Sequence, residues 1–150
     1  MSMIREIYEG FQRGEFDRWD DLIASDVILD SPALVDSVQG LNALKNWAGE
    51  FLKALKPRID LVDEFEGDGH RAFFTITINW KHVEPFFDIK PTGREGTSVE
   101  AIVLTIKDGK VVYWYVAAAS VDLAVYMWER GWTSGHNKQP KPIKLGIERR

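Results

Sequence analysis

Apolar residues recur every three to four positions in three segments of the chain, and this spacing predicts amphipathic helices. The first begins at Ile4 and ends near Gly14. A short second helix is predicted within residues 15–27, and the longest stripe, over residues 41–55, is stopped by Pro57. The inner-facing positions of the three helices are Ile4, Ile7, Tyr8, Phe11, Trp19, Leu22, Ile23, Leu41, Leu44, Trp47, Ala48, Phe51, Leu52 and Leu55.

Beyond the long helix the period of apolar residues changes to two, which is typical of strands with one buried face. The pattern predicts strands over residues 58–66 and 70–82, and two more over 97–106 and 111–119. Turn-forming residues separate them, as in a series of hairpins. One face of the second strand carries Ala72, Phe74, Ile76, Ile78, Trp80 and His82.

Helices followed by antiparallel strands indicate an α+β fold, with N-terminal helices packed on a strongly curved, mainly antiparallel sheet. A brief strand over 26–30 precedes the long helix, and a last helix is predicted from about Val121 to Arg130, with Gly131 as its cap. The sheet would form a cone around helix 41–55. The space between helix and sheet is then either filled or left as an internal hydrophobic pocket.

Composition narrows the class of protein. Apolar residues make up 45% of the chain and aromatic residues 12%, which suffices for a wide core or an aromatic-lined cavity. There are no cysteines, so disulfides and thiolate zinc sites are excluded, and three scattered histidines give no reason to expect a metal. The start is charged, and no apolar run reaches the ~18–20 residues of a membrane span. We therefore expect a cytoplasmic protein with no membrane partner.

Charge is distributed unevenly along the chain. Residues 133–150 hold five Lys or Arg and one Glu, whereas the other 132 residues hold 14 basic and 22 acidic groups. An acidic body repels phosphates, so we expect no nucleic-acid partner. We expect residues 1–132 to form one domain and residues 133–150 a poorly ordered basic tail. The alternative is that the tail contacts an acidic partner or the acidic body itself.

The loop after the second strand carries a recognisable motif, "HVEPFFDIKPTGR", followed by the hairpin "IKDGKVV". The chain resembles the SnoaL-like polyketide cyclase and ester cyclase family, within the superfamily named after nuclear transport factor two. The resemblance extends over residues 4–132 and departs from the family pattern at Asp88 and Lys90. The matching positions are His82, Phe86, Ile89, Pro91, Thr92, Gly93, Arg94, Asp108, Gly109 and Lys110.

The resemblance implies an acid or base near the end of the last strand. Counted forward from Gly109, the family's Asp position falls on Ala119, and the site would lack its acid. Counted back from Gly131, it falls on Asp122. Three extra residues within "YVAAASV" would reconcile the two counts, and a bulge could absorb them. We favour Asp122 as the catalytic acid or base. The alternative is an Asp that stabilises the first turn of the last helix.

Two further residues are candidates for catalysis. His82 lies at a strand end, where it could polarise a carbonyl group, or could be a satisfied histidine beneath the loop at 91–94. Asp30 resembles the early-strand Asp base of the ketosteroid isomerases. Here, however, Ser31 lies between Asp30 and Pro32, so the spacing to the proline differs by one residue. Glu100 is interpreted as an exposed residue rather than a base.

Five aromatic residues are candidates for the pocket lining, although plain core packing is the alternative for each. A hydrophobic ligand between helix 41–55 and the sheet would contact them. The candidate ligand-binding residues are Trp47, Phe51, Trp80, Phe86 and Tyr115.

The leading hypothesis is a small-molecule enzyme that acts on a hydrophobic carbonyl- or ring-containing compound by cofactor-free acid/base chemistry. The reaction would be cyclisation, isomerisation or hydration, with Asp122 as acid or base and His82 or Tyr115 as hydrogen-bond donor. The resemblance also implies a homodimer, formed through the exposed sheet face. The alternatives are a non-catalytic small-molecule-binding module and a dimerisation or assembly domain of the same fold.

Overall fold

The structure is a computed structural model, and it describes residues 2–31, 36–119, 123 and 126. Helix α1 (Met3–Arg13) and a 3₁₀ turn (Phe16–Trp19) precede strand β1 (Ile23–Asp30) and the two-residue strand β2 (Val38–Gln39). The remaining elements are helix α2 (Leu41–Leu55) and strands β3 (Arg58–Glu66), β4 (Arg71–Lys81), β5 (Glu95–Lys107) and β6 (Lys110–Ala119).

Local sequence signals explain where the helices begin and end. The side chain of Ser2 accepts a hydrogen bond from the Arg5 amide and caps α1, and Gly14 ends the helix in a left-handed conformation, at φ 70°. Helix α2 ends just before Pro57, as predicted. The predicted short second helix is wrong: only one 3₁₀ turn forms, because Ile23 already belongs to β1 and pairs with Val111.

The six strands form one sheet in the order β2-β1-β6-β5-β4-β3. All neighbours are antiparallel except β1 and β6, which are parallel. The predicted α+β class, with helices packed on a curved, mainly antiparallel sheet, is confirmed. The parallel pairing of β1 with β6 joins the first strand of the chain to the last, in an open sheet with β2 and β3 at its edges.

Each strand presents one face to the helices, here called the inner face, and the opposite, outer face away from them. The buried side chains of β4 are those at even positions, and the same holds for β5 from Ser98 onwards, apart from half-buried Glu100. The buried inner-face residues of these two strands are Ala72, Phe74, Ile76, Ile78, Trp80, Ser98, Ile102, Leu104 and Ile106.

Two β-bulges shift the register of β6 against β5. Ile106 pairs with Val111 and Thr105 with Tyr113, and farther along Ile102 pairs with Val116 and Ala101 with Ala118. Each shift adds one residue to β6 and changes the face on which the following side chains lie. The second bulge lies within the stretch where the forward and backward counts disagree.

The C-terminal predictions lie mostly outside the described residues. Of the predicted last helix, Leu123 and Tyr126 are described, and both are helical. The predicted basic tail, residues 133–150, lies wholly outside them, and so does Asp122. Within the described part of the chain, no helix has the length and apolar character needed to cross a membrane.

Candidate functional site

Three aromatic residues form a continuous group between α2 and the end of β4. The Trp47 and Phe51 rings stack at 5.4 Å with an interplanar angle of 14°, and the Phe86 ring meets Phe51 edge-on at 6.1 Å. Phe51 and Phe86 are buried and Trp47 is half-buried. The structure therefore brings together three of the five residues predicted to contact a ligand.

The Trp47 indole nitrogen is a buried donor. Its Nε1 atom is shielded from solvent, and none of the described residues accepts a hydrogen bond from it. By contrast, two other buried indoles have acceptors. Trp19 Nε1 donates to the Ile7 carbonyl at 3.1 Å, and Trp80 Nε1 donates to Ser98 Oγ at 3.2 Å. A buried donor without an acceptor lowers the stability of the fold by about 1–3 kcal/mol. Packing alone therefore does not explain a tryptophan at this position.

Trp80 lies on the inner face, as predicted, and its ring covers Gly96 on the neighbouring strand. A Cβ atom at Gly96 would lie 2.6 Å from Trp80 Cζ2, closer than carbon atoms can approach. Only glycine fits beneath this ring. Trp80 is thus fixed from two sides, by Gly96 below the ring and by the hydrogen bond to Ser98.

His82 is completely buried at the end of β4 and holds the loop at 91–94. Its amide donates to the Arg94 carbonyl at 2.9 Å, and its own carbonyl accepts from the Gly93 amide at 2.8 Å. The ring Nδ1 lies 3.0 Å from the Tyr126 hydroxyl, which also bonds Thr92 Oγ1. This geometry fits a histidine satisfied beneath the loop, the alternative considered from sequence. It links the loop to Tyr126, whose ring centroid lies 5.4 Å from that of Trp80, with the two rings tilted at 33°.

Tyr115 and Asp30 lie on the outer face, away from the residues above. The two are register partners, whereas their neighbours Trp114 and Leu29 are buried on the inner face. Tyr115 is 39% exposed and stacks on Tyr113 at 6.0 Å, and Tyr113 donates to Asp30 Oδ2 at 3.0 Å. Tyr115 was predicted to line the interior; the bulge before it places it outside. Asp30 is likewise separated from the interior by the thickness of the sheet.

The contact between Asp30 and Tyr113 affects the pKa of the tyrosine. Burial, and then the hydrogen bond to Asp30, raise the pKa of the Tyr113 phenol. The second carboxylate oxygen of Asp30 accepts the Ser31 amide at 2.9 Å. Asp30 is thus engaged with two donors on the outer face, as expected of a structural carboxylate.

Glu100 was predicted from the sequence to be an exposed residue, and this prediction is wrong. It is half-buried on the inner face of β5, with Ile76 of β4 and Ala119 of β6 as register partners. Burial raises the pKa of its carboxyl from 4.5 to about 7. The signal was present in the alternation with Ile102, but the outer positions of β5 are also apolar, so the two faces could not be told apart.

A groove of about 440 Å³ lies elsewhere, beside the beginning of α2. Asp20, one of its lining residues, forms an ion pair with Lys45, and its carbonyl accepts a hydrogen bond from Lys110 Nζ at 3.0 Å. None of the candidate residues lines it. Its lining consists of Asp20, Ile23, Ala24, Ser25, Leu41, Asn42 and Lys110.

This architecture, helices packed on a curled and mostly antiparallel sheet, defines an NTF2-like α+β cone. An NTF2-like protein of unknown function from Burkholderia pseudomallei K96243 superposes with a TM-score of 0.65, at 19% identity over 88% of this chain and 100% of that one. The chain belongs to the SnoaL-like domain family, whose model matches residues 4–114. The predicted family resemblance is confirmed.

Other solved structures share the fold. A candidate polyketide cyclase from Pseudomonas putida KT2440 has a TM-score of 0.69 at 18% identity, covering 82% of this chain and 93% of that one. IdmH from Streptomyces antibioticus, also a candidate polyketide cyclase, has a TM-score of 0.66 at 16% identity, covering 85% and 96%. At such identities the likeness concerns the fold alone. No curated protein matches the chain in sequence.

Proposed function

We propose that the protein is a small-molecule enzyme that binds a hydrophobic, carbonyl-bearing or ring-containing compound between α2 and the inner face of the sheet. It acts on this compound by cofactor-free acid/base chemistry: cyclisation, isomerisation or hydration. The observation that carries the proposal is the Trp47 indole, a buried donor beside the Phe51 and Phe86 rings. A carbonyl oxygen on an otherwise apolar ligand would satisfy this donor while the rings pack against its body.

In this proposal Asp122 remains the acid or base favoured from sequence. His82 acts through the loop at 91–94 and Tyr126, and so positions the site rather than contacting substrate. The candidate polyketide cyclases among the structural neighbours agree with the proposed class.

Ligand binding and turnover can be tested separately. We expect at least one compound in a panel of aromatic ketones, lactones, steroids and epoxides to raise the melting temperature with increasing concentration. Asp122→Asn should lower kcat by about 10²–10⁴-fold while leaving the thermal shift intact. Asp88→Asn, in the exposed loop, is the matched control.

Ala119, at the forward-counted acid position, supports a second candidate function, a non-catalytic binding module. A thermal shift with no turnover of any bound compound would favour that module. The absence of any shift across the panel would contradict both functions.

Replacing Trp47 with Phe tests the proposed hydrogen bond to the ligand. The substitution removes a buried donor that lacks a partner, so the free energy of unfolding should stay within about 1 kcal/mol of the original or rise. Affinity for a carbonyl ligand should fall about tenfold, as measured by isothermal titration calorimetry. Trp19→Phe is the control, because it removes a satisfied indole at a fully buried position. The lost hydrogen bond and the smaller ring should together lower stability by more than about 1 kcal/mol without affecting the ligand. Unchanged affinity in Trp47→Phe would contradict this role.

We propose further that the protein forms a homodimer through the outer face. Four register partners run across β3, β4, β5 and β6 as one apolar row: Phe65, Phe73, Val103 and Tyr115. Phe65 is 67% exposed and Phe73 37%. Contiguous apolar surface of this kind is typical of an interface, and the same face of two copies can pair about a two-fold axis.

The dimer is tested by sedimentation velocity between 1 and 100 μM. We expect a dimer for the wild type and at least a tenfold weaker association for Phe73→Asp, because a charge in the centre of the row would be desolvated on pairing. Val83→Asp, at an exposed apolar position outside the row, should leave association unchanged. A wild-type monomer at 100 μM would contradict the dimer.

A further inference from the structure

Glu100 lies in the middle of an apolar surface. It is the inner-face residue of β5 between Ser98, which is 2% exposed, and Ile102, which is 1% exposed. Its register partner on β4 is Ile76, which is 8% exposed. The Trp80 side chain bonds Ser98, one inner-face position away, or about 7 Å along the strand. The carboxyl therefore faces the same side of the sheet as the residues that surround the proposed ligand.

No partner within the described part of the chain stabilises the charge of Glu100. Burial alone shifts its titration, and no hydrogen bond or ion pair from residues 2–31 or 36–119 reaches its carboxylate. Other partly buried carboxylates differ: Glu64 pairs with Arg5 at 2.6 Å, and Asp30 accepts from Tyr113. A buried charge without a partner costs stability, and a neutral side chain of similar size would serve packing better. Packing therefore does not account for a glutamate at this position.

We propose that Glu100 is a catalytic acid/base residue that removes and returns a proton at the carbon next to a carbonyl of an uncharged, apolar substrate. The inference rests on the proposed function, since it requires a ligand against the inner face. It also narrows the substrate class. A carboxylate or phosphate group beside Glu100 would place two like charges in an apolar surrounding, so the substrate is a neutral ketone or ester.

The proposed step conserves atoms and electrons. The Glu100 carboxylate accepts the α-proton as the C–H bond breaks, and the electron pair of that bond forms the C=C bond of an enolate. The carbonyl π pair moves to oxygen, where a donor such as Trp47 Nε1 stabilises the charge. The Glu100 carboxylic acid then returns a proton to carbon, at the same or a conjugated position. A carboxyl that titrates near neutral pH is present in both forms, as both half-steps require.

The test uses 2-tetralone, a bicyclic aromatic ketone with exchangeable α-protons, in D₂O with the full chain. Proton NMR measures how fast deuterium replaces the α-protons, above the buffer-catalysed rate. We expect the wild type to accelerate this exchange and Glu100→Gln to lose the acceleration by at least about 100-fold. Glu95→Gln, an exposed carboxylate at the start of the same strand, is the matched control and should exchange like the wild type. Binding of 2-tetralone and the amide NMR spectrum should be preserved in Glu100→Gln, because the carboxamide has the same shape.

The outcomes separate this inference from the proposed function. Wild-type exchange that persists in Glu100→Gln would overturn the role of Glu100 and leave the proposed function standing. Binding of 2-tetralone by the wild type without accelerated exchange would also overturn it. Absence of both binding and exchange for 2-tetralone and for the ketones of the panel would overturn the proposed function together with the inference. Loss of exchange in Glu100→Gln with binding intact would support it.

Discussion

Glu100→Gln is expected to make the protein more stable at pH 8 and to leave its stability nearly unchanged at pH 4. The folded protein holds the Glu100 proton up to a pKa of about 7, whereas the unfolded chain releases it near 4.5. Between these values the unfolded state binds fewer protons, so the free energy of unfolding of the wild type falls as pH rises from about 4.5 to 7. Glu100→Gln has no titratable proton at this position, so its free energy of unfolding lacks this decrease with rising pH.

The size of this effect follows from the same two pKa values. A fully buried carboxyl would contribute about 3 kcal/mol, and the partial exposure of Glu100 reduces this to about 1–3 kcal/mol. The neighbouring inner-face side chains carry no charge: Ile76 is the register partner of Glu100 on β4, and Ser98 precedes it on β5. The titratable His82 lies six residues beyond Ile76, just after the end of β4. Urea unfolding at pH 4, 6 and 8 measures the difference, with Glu95→Gln as control. A variant less stable than the wild type at pH 8 would contradict the placement of Glu100.

Phe86→Ala is expected to lower the free energy of unfolding by about 3–5 kcal/mol. Phe86 is 2% exposed, and its amide and carbonyl both hydrogen-bond Ile89, each at 3.0 Å, so the loop holds its backbone in place. Its ring meets Phe51 on α2 and contacts the Phe87 ring at 4.8 Å. The residue joins the loop after β4 to the helix, and the fixed backbone prevents the surroundings from closing over the cavity left by truncation.

The neighbouring residue supplies the control for this prediction. Phe87 is half-buried, so Phe87→Ala should lower the free energy of unfolding by roughly 1 kcal/mol, which is usual for a residue outside the buried core. Its φ of 51° is strained for Phe and Ala alike, so the comparison isolates the ring. Guanidinium unfolding of both variants measures the contrast. Equal losses in the two would indicate that Phe86 is not part of the core that joins the loop to α2.

Much of the fold was predictable because it depends on local periodicity. The alternation in β4 placed Trp80 and His82 on the inner face, and the stripe of α2 placed Phe51 against it. The parallel pairing of β1 with β6 could not be predicted, since it joins segments about 85 residues apart and leaves no local pattern.

The candidate site was predictable only in part, for physical reasons that differ between residues. Tyr115 was a candidate for the pocket lining, but a bulge in β6 changes the face of the side chains that follow it without a clear sequence signal. Glu100 was overlooked because Val99, Ala101 and Val103 make the opposite face of β5 as apolar as its own. It is also the register partner of Ala119, the position at which the forward count placed the family's acid. Pairing across strands, which the sequence does not reveal, brings a carboxyl beside that position.

The most direct test of ligand binding between α2 and the inner face is a set of isotope-filtered NOEs from bound 2-tetralone to methyl groups of the protein. We predict NOEs to the methyl groups of Ile76 and Ile78, which lie on the inner face of β4 beside Glu100 and Trp80. The methyl groups of Val99 and Val103, on the outer face of β5, should give none. NOEs confined to the outer-face valines would contradict the account.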